Sequence, residues 1–222
     1  MNDYQFFGLF PTPIMITSYL PDQRLVDFLQ KQEINPMFQQ DQLPGDIQKS
    51  GTYSKNIRIL KDPKCIDLKN FIIESALKLS SECLGHTVEG LTDTLSWVSF
   101  KDAGQEHSAH NHPNSYISGV YYYDDVGTDT PIMFKRPKSA SSSYELAIPR
   151  NPEHNNEFSA ENFRVLPKKG DILLFPSYLM HYVPRNFSKT VRTSLAFNLM
   201  PTGSLGEDLF LTHFNYEDAM IK

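Results

Sequence analysis

Cysteine is scarce in this chain: Cys65 and Cys83 are the only two among 222 residues. So few thiols rule out a disulfide-built scaffold. The first thirty residues also lack the charged start, apolar run and small-residue cleavage site of a leader, so free thiols in a reducing, cytoplasmic setting are expected. No apolar run approaches the roughly 20 residues that cross a bilayer, and no transmembrane segment is expected. Positive charge is short as well, with a formal net charge of −5 and no Lys/Arg cluster. Neither nucleic acid nor an anionic membrane is therefore the expected partner, and a small-molecule or protein substrate fits better. Tryptophan is limited to Trp97, expected in the core.

What the chain does have is aromatic and β-branched material in short runs. Fifteen Phe and eleven Tyr lean toward a β-rich core. The length suits one domain over 1–222, read as a strand and buttressing helices in 1–93, a β core in 94–200 and a C-terminal extension in 201–222. The proline-spaced opening suits an edge strand. A helix is predicted over 22–32, with Leu25, Phe28 and Leu29 on one face, and a second over 63–84, with Gly85 as its stop and Cys83 packed near its end. Beyond residue 94 the pattern predicts strands at 95–101, 107–112, 117–123, 131–135, 162–166, 171–176, 181–183 and 190–200. So many short strands after two helices predict an antiparallel sandwich or jelly roll with the helices against one outer face. The loops at 39–52 and 139–161 are the expected carriers of substrate contacts.

The segment HSAHNH concentrates three of the seven histidines. On a strand, positions i and i+2 share a face, so His110 and His112 converge, whereas His107 has the opposite parity unless a bulge intervenes. The best candidate for a third ligand is His181, 181 − 112 = 69 positions later, at the start of another short strand. Neutral imidazole suits ferrous iron, zinc or copper, so ligand type alone leaves the metal open. Further on, alternation places Arg192, Ser194, Ala196 and Asn198 inward. An inward arginine calls for an anion, and its planar fork suits a carboxylate, with Ser194 able to add a hydrogen bond. His86, His154 and His213 fall outside this constellation and are expected at the surface or at caps, and Tyr121 and Tyr123 as packing residues.

Three stretches, HNHPNSYISGVYYYDDV, VLPKKGDILLFPSYLMHYVPRN and VRTSLAFNL, together resemble the core strands of the 2-oxoglutarate and Fe(II)-dependent oxygenases, over roughly half the chain. The wording HPNSYISGVYYY is closest to a subgroup carrying the same His-X-His-Pro stretch, with a core like that of the prolyl hydroxylases. The resemblance implies a double-stranded β-helix, the cofactors Fe(II), 2-oxoglutarate and O2, and hydroxylation as the default outcome. Position by position it makes His110 and His181 metal ligands and Arg192 the carboxylate anchor. It also turns Ser118, Val120 and Tyr122 inward, Tyr122 as a second donor to that carboxylate. His112 departs from the superfamily, which has Asp or Glu there. A second resemblance, to the first cupin motif, runs from Gly104 to His112 but lacks the expected glutamate. It leaves as alternatives a cupin-type metalloenzyme without 2-oxoglutarate, in which Arg192 faces away from the metal, or a non-catalytic β-helix binding module. A homodimer through the Pro-rich N-terminus or residues 203–222 is a further expectation.

Overall fold

The computed structural model describes residues 5, 7–39, 51–125, 131–137, 151, 153, 156, 158–206, 209 and 211–214. Its first elements are strand β1 (Met15–Ser18) and helix α1 (Gln23–Gln30). Asp22 starts α1 as its N-cap, the carboxylate accepting the Leu25 N–H at 2.8 Å. The helix is two residues shorter at its end than the periodicity predicts, closing at Lys31. A two-residue strand β2 (Thr52–Tyr53) and two short 3-10 turns lead into α2 (Ile66–Glu82). Gly85 just beyond has φ +68, the left-handed conformation that ends helices. Cys83 is exposed rather than packed.

The strands that follow are β3 (Gly90–Lys101), β4 (His107–His110), β5 (Ile117–Tyr121), β6 (Ile132–Lys135), β7 (Asn162–Val165), β8 (Asp171–Pro176), β9 (His181–Val183), β10 (Arg192–Leu205) and β11 (Thr212–Phe214). They make two antiparallel sheets. The larger has the order β1-β8-β5-β10-β3-β2, with β11 on β10, and the smaller the order β4-β9-β6-β7. This is the double-stranded β-helix expected from the sequence. β1 is an edge strand, paired to β8 alone. β3 and β10 run longer than predicted, to Gly90 and Leu205, because they pair with each other over most of their lengths. Strands from before residue 94 complete the large sheet, so the N-terminal segment and the β core share one framework.

Alternation along these strands divides two cores. Val98, Ile117, Tyr121, Ile172, Leu174, Leu195, Phe197 and Leu199 face the helices and pack with Leu29, Leu68, Ile72 and Leu79. These four helix side chains are fully buried, each stabilising the fold by roughly 1.5–3 kcal/mol. A smaller cluster of Tyr122, Ile132, Phe134, Val165, Leu173, Phe175 and Leu179 fills one end of the space between the sheets. The rest of that space is a cavity of mixed polar and apolar lining, and it holds the functional residues. The loops expected at 39–52 and 139–161 lie for the most part outside the described residues. No described helix is long and apolar enough to cross a membrane.

Candidate functional site

His110 ends β4 directly opposite His181 at the start of β9, and His112 follows two residues on, its backbone N–H donating to the Ser177 carbonyl at 3.0 Å. Each of the three offers a ring nitrogen, and these atoms lie within 4.8 Å of one another. Two of the rings are locked from behind. The Nδ1 of His110 lies 2.8 Å from the Ser108 carbonyl and that of His181 lies 2.9 Å from the Leu179 carbonyl. A carbonyl only accepts, so both Nδ1 atoms carry the proton and both Nε2 lone pairs are free for a metal.

His107 also joins the cluster. Residues 107 and 110 pair with 183 and 181, so three steps along β4 oppose two along β9, and the extra residue is a bulge that reverses the parity. The His107 ring stacks on that of His110 at 4.0 Å between centroids, and its Nε2 lies 3.2 Å from the Tyr53 hydroxyl. Trp97, expected in the core, lies instead against the site, 6.0 Å from the His112 ring.

Burial, first of all, holds every one of these imidazoles neutral. It lowers His112 to about 4 and His181 to about 3, with help from nearby His110. His107 is lowered to about 2 by burial and then by the Lys101 charge. His110 is lowered by burial against the opposing effect of its Ser108 hydrogen bond. Neutral rings are the metal-binding form, so the donor set fits a divalent transition ion without a proton first having to leave.

The same cavity is lined by Arg192, Tyr122 and Ser194. Arg192 is buried on β10 and donates to the Pro131 carbonyl at 3.1 Å and to the Tyr122 hydroxyl at 3.2 Å. Burial raises the Tyr122 pKa, which keeps the phenol protonated and a donor. Ser118 is not among the lining residues. Its hydroxyl donates to Asn198 Oδ1 at 2.8 Å and pairs with the Ser177 hydroxyl at 2.7 Å, a buried network that engages it elsewhere.

Sequence reasoning did not single out Lys101, Ser99 or Tyr53, which also line the cavity. The available signal was alternation, since Trp97, Ser99 and Lys101 share one face of β3. Lys101 is lowered to about 7, by burial and then by the Arg192 charge across the sheet. Among the described residues, no carboxylate lines the cavity.

Residues 95–198 match the model of the family described as "Putative 2OG-Fe(II) oxygenase". Solved structures resemble the fold at low identity. The alpha ketoglutarate dependent carbocyclase SnoK from nogalamycin biosynthesis superposes with a TM-score of 0.59 at 15% identity, over 86% of this chain and 81% of that one. HygX from Streptomyces hygroscopicus, solved with nickel and 2-oxoglutarate bound, gives 0.51 at 13% identity over 86% and 83%. A Pseudomonas putida prolyl-4-hydroxylase gives 0.51 at 14% identity over 86% and 94%. Among curated proteins, none matches the sequence. The matched segment spans the strands that carry the histidines and Arg192, so this part of the chain is similar to the 2-oxoglutarate and Fe(II)-dependent oxygenases in sequence, and the whole chain is similar to them in fold.

Proposed function

We propose that this protein is an Fe(II)- and 2-oxoglutarate-dependent dioxygenase that hydroxylates a C–H bond of a small-molecule or protein substrate, converting 2-oxoglutarate and oxygen to succinate and carbon dioxide. The observation that carries this reading is a single cavity lined both by three converging imidazoles and by the buried Arg192–Tyr122 pair. It also argues against the cupin-type alternative, in which Arg192 faces away from the metal.

His110, His112 and His181 would hold the ferrous ion. Bound there, iron supplies the oxygen activation and oxidising power that side chains lack. The chain itself supplies binding and orientation. Arg192 offers its planar fork to the distal carboxylate of 2-oxoglutarate, and its bonds to Pro131 and Tyr122 hold that fork in place before the ligand arrives. The Tyr122 hydroxyl accepts from Arg192, which leaves its own proton to donate to the same carboxylate. Ser194, two positions along β10 and lining the same cavity, would add a third donor. With His112 where the superfamily carries a carboxylate, a dianionic cosubstrate meets no like charge among the described lining residues. A reducing cytoplasmic setting suits both the free thiols and ferrous iron.

Anaerobic titration of the Fe(II)-loaded protein with 2-oxoglutarate tests the reading. The expected result is a weak visible charge-transfer band in the wild type that is lost in Arg192→Ala, with succinate formed when oxygen and substrate are admitted. Iron binding without a band would overturn it in favour of the cupin-type reading.

A further inference from the structure

The cavity holds a second buried cation that the cosubstrate does not require. Lys101 on β3 is the register partner of Arg192 on β10, and both are at least 95% buried. Their charged ends lie against different tyrosines. The Arg192 guanidinium carbon lies 5.5 Å from the ring centre of Tyr122, directly after β5, whereas the Lys101 ammonium lies 5.3 Å from that of Tyr53 on β2. In the large sheet β5 and β2 flank the β10-β3 pair on opposite sides, so the seam between those two strands separates the two cation–tyrosine pairs.

A second, independent feature lies on the Lys101 side. Ser99 faces the cavity two residues before Lys101 and is paired in register with Tyr53. Its hydroxyl is buried and has no hydrogen-bond partner among the described residues, although the residue is only 6% exposed. A buried hydroxyl without a partner, facing a cavity, marks a place where a ligand atom completes the bonding. Beside it the Tyr53 hydroxyl reaches His107, which stacks on His110, so this corner adjoins the metal-binding rings. Burial pushes Tyr53 up to about 12, which keeps it a donor.

We propose that Lys101, Ser99 and Tyr53 form a second anion subsite that binds a carboxylate or phosphate of the primary substrate, making that substrate an acidic molecule or an acidic side chain. This rests on the cosubstrate reading, in which 2-oxoglutarate occupies the Arg192 side.

The test is calorimetric titration of the anaerobic Fe(II)-loaded protein, saturated with 2-oxoglutarate, using inorganic phosphate and acetate in turn as probes. The expected result is binding of at least one probe, weakened about tenfold or more in Lys101→Met and measurably in Ser99→Ala, while both variants bind 2-oxoglutarate within about twofold of wild type. Preference for phosphate or for acetate identifies which group the substrate carries. Failure of both probes to bind wild type overturns the subsite. So does a tenfold loss of 2-oxoglutarate affinity in Lys101→Met, which would assign Lys101 to the cosubstrate. Loss of 2-oxoglutarate binding in the wild type itself, with probe binding still dependent on Lys101, would sink the oxygenase reading and leave the anion subsite standing. Thermal melts of each variant separate a binding defect from a folding defect.

Discussion

Stripping the metal and lowering the pH sets the buried imidazoles against the fold. Each of His107, His112 and His181 has its folded pKa depressed below the ordinary 6.5, so on acidification the unfolded chain takes up protons that the folded chain refuses. The stability they permit is therefore full above about pH 6.5 and is lost as the pH falls from there toward the folded values of about 4, 3 and 2 for His112, His181 and His107. At about 1.36 kcal/mol per pH unit per group, going from about pH 7.5 to about pH 5 costs about 2 kcal/mol for each histidine, and about 6 kcal/mol for the three. That is a large part of the roughly 5–15 kcal/mol that stabilises an ordinary domain. It corresponds to a fall in Tm on the order of 10–20 °C for a chain of this size. Most carboxylates stay ionised over this window, so the slope reports the buried histidines, with a smaller share of the same sign from Lys101 at the top of the range. The assay is a series of thermal melts of chelator-treated protein across that range, with His107→Gln beside the wild type. The variant is expected to lose about a third of the pH dependence. A melting temperature that moves by less than about 3 °C across the range would refute the reasoning, because it would mean that the rings are charged or solvated in the fold.

His112→Ala removes one of the converging ring nitrogens and should weaken Co(II) or Fe(II) binding at least a hundredfold on the order of what a lost ligand costs, read by metal titration, with melting of the metal-free protein little changed or improved at acid pH. Tyr122→Phe deletes the hydroxyl that lies on Arg192 and should weaken 2-oxoglutarate binding by about tenfold while metal binding persists. Gly119→Ala places a Cβ into the ring of Phe197 and 2.7 Å from the Leu173 carbonyl oxygen, and should lower stability by about 1–3 kcal/mol in denaturant unfolding.

The parts of the site that were legible in the sequence were those set by strand parity and by continuous strands. His110, His112 and Arg192 fall on the cavity where strand alternation puts them, His181 where the start of a short strand puts it, and Tyr122 where the resemblance to the prolyl-hydroxylase strand implies. His107 escaped because one extra residue in β4 reverses its face, and nothing local in HSAH announces a bulge. Ser118 has inward parity, yet Ser177 and Asn198 capture its hydroxyl, a contact between residues 59 and 80 positions apart that only the assembled sheets create. Lys101 was hidden by its own chemistry, since a lysine at a strand end is ordinarily solvated, whereas here it is buried between β10, where Arg192 is its register partner, and the Tyr53 ring of β2. Helix ends were readable where a side chain or glycine sets them, as at Asp22 and Gly85, and less so at Lys31, where the chain simply turns away.

His110 and His181 are each aimed by a carbonyl two residues upstream in their own chain. Both partners are main-chain atoms, present whatever side chain occupies positions 108 and 179. No single substitution at those positions removes the acceptor, so the orientation of the two rings is sheltered from sequence drift in a way that a carboxylate partner would not be. Evolution of this chain is thereby free to vary the surroundings of the ligands while their tautomers and directions stay inherited with the backbone.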